Sequence, residues 1–142
     1  MAITSTLTTS FKKELLTATH NFATNGNAFK LALYTSSATL GAATAAFTTT
    51  GQASGTNYTS GGAALTKVAP TSAGTTGFTD FVDLTFGTAT VTARGCMIYN
   101  DTASNDASVA TIDFGGDKTS TAGDFTVVFP AKAAATAIIR IA

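Results

Sequence analysis

Few residues in this chain are of the types that run reactions, and their spacing limits what they can do. His20 is the single histidine and Cys96 the single cysteine. A Ser-His-Asp or Cys-His relay would have to pass through His20. One imidazole and one distant thiol cannot make a zinc set. Asp113, Asp117 and Asp124 in "DFGGDKTSTAGD" gather three carboxylates that could meet a calcium ion, but they lack the D-x-[DN]-x-[DN]-G spacing. Asp113-Phe114-Gly115 resembles the metal-binding triplet of protein kinases without the glycine-rich loop, strand lysine or catalytic loop that triplet works with. Asp80, Asp83, Asp101 and Asp106 complete the aspartates, and most of the acids stand in turn-like contexts. Facing carboxylates for glycoside cleavage usually come with aromatic platforms, and the chain has no Trp.

The stretch "GTNYTSGGAALTKVAP", from Gly55 to Pro70, is rich enough in glycine to suggest a phosphate cradle. It has neither the G-x-x-x-x-G-K-[ST] nor the G-x-G-x-x-G spacing, and a strand-like run follows rather than a helix. A hairpin turn at Gly61-Gly62 is the expectation, since positive φ is cheap only for glycine. Gly115-Gly116 reads as a second turn between strands. Cys96 lies in the apolar run "RGCMIYN", where a buried, inert thiol is expected. No catalytic, cofactor or metal residue is therefore assigned.

Several function classes lose their physical basis in the composition. Eight basic and eight acidic residues cancel, and no Lys/Arg run is present to neutralise phosphates or an anionic membrane. Charged residues are 11% of the chain, against roughly 25% in an ordinary soluble domain. Thr alone fills about a fifth, so the expected surface is polar and nearly uncharged. Such a surface has little self-repulsion and sheds water easily on contact with other protein. Hydrophobic residues at 44%, mean hydropathy +0.25 and 142 residues suit one packed domain without disulfides. "MAITSTLTTSFKKELL" lacks the pattern of a secretory signal, and no apolar run is long enough to span a bilayer, so a soluble protein made in a cytoplasm is expected.

The elements that would position these residues read mainly as β. One helix is predicted, capped by Thr9 or Ser10, with Phe11, Leu15, Ala18 and Phe22 on one stripe and His20 a step from it. Residues 1–10 have little to bury and are expected to form an extended arm. Residues 11–142 form the single β-rich domain. "AFKLALYT" alternates with Phe29, Leu31 and Leu33 on one face. "AAFTTT" and "ALTKVAP" are further strand candidates. "GFTDFVDLTF" places Phe78, Val82, Leu84 and Phe86 together, with Asp80 interrupting. "ATVTA", "RGCMIYN", "SVATIDF" (Ala110, Ile112, Phe114) and "DFTVVFP" (Phe125, Val127, Phe129, stopped by Pro130) follow. "AIIRI" closes the chain with Ile139 and Ile141 expected to be partly buried. About eight short strands with frequent turn signals predict an antiparallel β-sandwich or jelly-roll-like barrel with one N-terminal helix.

Laid out in that order, "FKKELLTATHNF", "FKLALYT", "GTNYTSGGAAL", "VTARGCMIYN", "DFGGDKTSTAGDFTVVFP" and "AIIRIA" resemble a family of small virion structural proteins of tailed bacteriophages. The resemblance spans Phe11 to Ala142. It departs at Gln52, where the family tends to have Glu, at Asn57, where it has Gly, and near Phe86, where it often carries Trp. The resemblance implies a non-enzymatic part of the virion, foremost a capsid decoration (cement) protein that contacts the major capsid protein. It also implies self-association, with trimers as the class precedent. Two other readings stay open at this level. One is a tail, fibre or baseplate module. The other is a carbohydrate-binding attachment module using Tyr34, Tyr58 and Tyr99 as sugar platforms.

Overall fold

The structure, a computed structural model, describes residues 2–142. The described residues form nine strands and one helix: β1 (Thr6–Leu7), α1 (Thr9–Leu15), β2 (Phe29–Tyr34), β3 (Gly55–Thr56), β4 (Ala63–Ala64), β5 (Lys67–Ala73), β6 (Thr76–Phe81), β7 (Leu84–Asn100), β8 (Ser108–Val127) and β9 (Ile139–Ile141). The mainly β, antiparallel architecture with an N-terminal helix is the one the sequence predicts.

A six-stranded sheet runs β1-β8-β7-β2-β4, with β3 also on β7, and a three-stranded sheet runs β5-β6-β9. In the larger sheet β2 lies between β7 and β4, and it is buried on both faces. Phe29, Leu31 and Leu33 enter one core with Phe81, Phe86 and Ile139. Ala32 and Tyr34 enter a second core with Met97 and Tyr99, closed by Ala38 and Leu40 of the following loop. The simple alternation expected for "AFKLALYT" therefore fills two cores rather than one core and one wet face. Strands this apolar on both faces need cover on both sides.

The long hairpin is the second organising feature. "ATVTA" and "RGCMIYN" are one strand, β7, and "SVATIDF" and the first four residues of "DFTVVFP" lie on β8, paired from Tyr99↔Ser108 to Leu84↔Val127. The expected turn at Gly115-Gly116 is absent. Register passes from Gly95↔Asp113 to Ala93↔Lys118, so the extra residues of β8 form a bulge, with Gly115 at φ +82°. Bulges increase local twist and bend a strand. β8 bends far enough that Phe114 and Phe125 bring their ring centroids to 6.2 Å. One hairpin thus contributes to both sides of the main core.

Other expectations change for local reasons. The helix stops at Leu15 and its cap is Thr8, whose Oγ1 accepts from the Phe11 amide at 3.3 Å. Leu16 is the C-cap and Ala18 has φ +60°, so Ala18, His20 and Phe22 lie beyond the helix. The expected free arm is docked: Ile3 is buried, Thr6–Leu7 pairs with Ala110–Thr111, and Thr8 is fully buried. Met1 of that arm lies outside the described residues. "AAFTTT" makes only an isolated bridge, Ala46↔Ala107. "GFTDFVDLTF" is interrupted at Val82–Asp83, which resets the alternation, so Phe81 and Asp80 are buried while Val82 is exposed. β9 buries Ile139, but Ile141 remains 63% exposed.

Candidate functional site

His20 lies in an aromatic pocket, its ring centroid 4.9 Å from that of Phe11 and 6.5 Å from that of Phe22. Asn100 Oδ1 accepts from the Thr102 and Ala103 amides, so its Nδ2 is the donor to His20 Nδ1 at 3.1 Å. That leaves the ring proton on Nε2, donated to Glu14 Oε1 at 3.0 Å. Both ring nitrogens are thus engaged in hydrogen bonds within the chain. The group ties the helix, the loop after it and the β7–β8 connection together. Cys96 is fully buried, and burial pushes its thiol well above the usual range, which disfavours the reactive thiolate.

The aspartates are spread over separate structural tasks. Asp113 accepts from Arg94 Nε at 2.9 Å and from the Gly115 amide, and these two hydrogen bonds hold its carboxyl below the usual range. Asp124 accepts from the Thr88 amide at 3.1 Å, and Asp83 from the Phe129 amide at 2.8 Å. Among the described residues no cluster of three His, Cys, Asp or Glu side chains could hold a metal. Asp80 is different. It is 1% exposed, Oδ1 accepts from the Phe81 amide, and Oδ2 has no hydrogen-bond partner among the described residues. Burial raises its carboxyl above the usual range, with the Phe81 and Ile138 amides opposing.

The glycine-rich stretch is a brace laid on the sheet. A Cβ on Gly62 would lie 1.8 Å from the Leu31 carbonyl oxygen, and one on Gly55 would lie 1.9 Å from that of Thr90. Gly61 and Gly62 do turn at positive φ, closed by Gly62 N–H to the Thr59 carbonyl at 2.9 Å. The turn joins β3 and β4, which pair with β7 and β2 rather than with each other, so the expected hairpin is not formed. Gln52 Oε1 accepts from the Tyr58 hydroxyl and the Gly61 amide, and the Tyr58 hydroxyl accepts from the Leu33 amide. The Tyr99 hydroxyl donates to the Gly61 carbonyl at 2.6 Å and that of Tyr34 to Thr48 at 2.6 Å. All three tyrosines are buried, which removes them as sugar platforms. Burial pushes the phenols of Tyr58 and Tyr99 up to about 12.

Two apolar grooves are open among the described residues, the smaller, of about 220 Å³, beside Phe22, Phe78 and Ile141. A groove of about 570 Å³ runs along the free edge of β8, with Ile112, Phe114, Phe125, Val127, Phe129 and Ile138 in its walls. Among the described residues no strand beyond β1 pairs with that edge. Val128 stands at its lip, 73% exposed. Lys118 and Asp124 are the charged residues among its described lining. The adjoining strands carry Thr88 and Ala122 at φ +49° and +47°, and Asn57 at φ +60° donates from Nδ2 to the Thr88 carbonyl at 2.9 Å. The register slips twice there, between Phe86 and Ala89 and between Ala89 and Val91. Of these residues only Asp124 is a candidate in the sequence, and there as a calcium ligand rather than as part of a groove. The signal for Val128 was present, because an alternation that turns Phe125, Val127 and Phe129 inward turns the intervening valine out.

No protein-family model, curated protein or solved structure matches the chain.

Proposed function

We propose that this chain is a structural component of a tailed-bacteriophage virion that acts through protein–protein contact, in the role of a head decoration protein. The observation that carries the contact reading is the division between the groups capable of chemistry and the surface left free. His20, Cys96 and the three tyrosines are consumed by packing and internal hydrogen bonds. Among the described residues, a large apolar groove beside a strand edge that is unpaired past β1 stays open. Edges and apolar grooves are where a sheet protein adds another chain. The assignment to a virion rests on the ordered phrases from Phe11 to Ala142 and their resemblance to small phage structural proteins. Contacts made only in the assembled particle stabilise it by mass action.

Quantitative mass spectrometry of purified particles, with location in a particle map, tests the proposal. A decoration protein appears in hundreds of copies following the icosahedral lattice. A small multiple at one vertex moves the chain to the tail, fibre or baseplate. Absence from purified particles overturns the virion reading.

A further inference from the structure

We infer that Asn25–Gly26 is a self-modifying site: the Gly26 backbone nitrogen displaces ammonia from the Asn25 side chain, and water then leaves aspartate or isoaspartate at position 25. The inference is independent of the contact role proposed above, since the reaction needs no partner but water.

The chain has six asparagines, and Asn25 is the one followed by glycine. The loop over residues 21–27 is held by the other two asparagines in it. Asn21 Oδ1 accepts from the Ala23 amide at 3.0 Å, and Asn27 Oδ1 accepts from the Asn21 amide at 2.7 Å. The Asn27 amide donates to the Asn21 carbonyl at 2.9 Å. Asn25 is exposed and takes no part in those bonds. Gly26 is fixed by packing, because a Cβ there would lie 2.5 Å from the Asn21 carbonyl oxygen. The tight return of the chain therefore demands a glycine directly after an exposed asparagine. A side chain on the following residue hinders its backbone nitrogen from reaching the asparagine Cγ, and glycine has none. Elsewhere the same step is obstructed. Asn21, Asn27 and Asn57 precede Phe22, Ala28 and Tyr58, Asn105 precedes Asp106, and Asn100 is fully buried.

The step balances without a redox partner. The Gly26 nitrogen, freed of its proton by base, bonds to Asn25 Cγ, and the Cγ–N bond of the side-chain amide breaks. Ammonia leaves with the proton. Water opens the cyclic imide at the side-chain carbonyl to give aspartate, or at the main-chain carbonyl to give isoaspartate. In the folded chain the Gly26 amide donates to the Ala23 carbonyl at 2.8 Å, so the reaction proceeds when that turn bond opens. Isoaspartate lengthens the main chain by one carbon inside the loop. Asn27 Oδ1 also accepts from Asn100 Nδ2 at 3.1 Å, the amide group that donates to His20. The product thus loosens the tie between this loop and the β7–β8 connection.

The full chain, incubated in warm, mildly alkaline buffer, tests the inference. Tandem mass spectrometry of the tryptic peptide over residues 14–30 and isoaspartyl methyltransferase labelling read the result. The expected result is a gain of one mass unit at position 25 ahead of every other asparagine, with isoaspartate label. The converted fraction, separated by ion exchange on its added negative charge, should melt below the starting material. Asn25→Ala, at an exposed position, should fold as wild type and show neither label nor a fall in melting temperature on incubation. Earlier conversion at another asparagine overturns the inference. So does conversion confined to chain unfolded in urea, since the folded turn would then protect the pair. A converted chain that melts with the wild type also overturns it, because the loop would then accept the longer backbone freely.

Discussion

The two halves of the β7–β8 hairpin put one supersecondary unit to opposite uses. In the inner half, Gly95–Tyr99 pairs with Ser108–Asp113, β2 and β1 flank it, and both faces are covered. Cys96, Met97, Ile98, Val109 and Thr111 there are fully buried. In the outer half, Leu84–Ala93 pairs with Lys118–Val127, one edge is free, and the wet face carries a threonine ladder. Thr85 meets Thr126 at 2.9 Å and Thr92 meets Thr119 at 2.8 Å. Bulges and positive φ angles collect in the outer half, with Thr88 and Ala122 on its strands. Backbone strain of this kind persists only where the surroundings hold it. The inner half fixes the fold, and the outer half offers a surface.

The contrast breaks most visibly in the inner half. Ile98→Ala is expected to lower unfolding free energy by about 2–5 kcal/mol, read by urea denaturation, because a closed sheet cannot collapse around the lost volume. Thr126→Val, on the exposed face of the outer half, should stay within about 0.5 kcal/mol of wild type in the same assay. Equal losses at the two sites would erase the distinction.

Tyr58→Phe, in the brace between the halves, comes next. It strands the buried Leu33 amide and removes one of the two donors to Gln52 Oε1, and should cost about 1–3 kcal/mol. A neutral result would mean that the brace only covers the sheet.

A further, pH-dependent effect concerns Asp80 on β6, the middle strand of the small sheet. Its carboxyl is raised in the folded state, so its contribution is fully present below its unfolded value and lost as pH rises through the folded one. Asp80→Asn keeps an oxygen for the Phe81 amide and removes the buried charge. It should melt somewhat higher than wild type at neutral pH, with the difference vanishing in acid. A variant that melts lower at neutral pH would show that the ionised carboxylate has a partner after all.

Legibility in the sequence followed the same division. Strand content, the inward set Phe125, Val127 and Phe129, and the inert setting of Cys96 were all visible, because alternation and apolar runs report burial directly. Continuity was not. Gly115-Gly116 has the composition of a turn, and only long-range pairing with β7 makes it a bulge. The arm looked unsupported because the partners of Ile3 and Thr8 lie far along the chain, at Leu40 and near Ser108–Val109. The groove is a tertiary product of the bend in β8 and has no local signature beyond the outward Val128.

Hydrogen–deuterium exchange on the chain free and in the phage particle proposed to hold it tests the division of labour most directly. The prediction is a gain of protection on assembly concentrated in Phe114–Pro130, with Gly95–Asn100 and Val109–Thr111 already slow in the free chain and unchanged. Protection gained elsewhere while Phe114–Pro130 exchanges as before would contradict it.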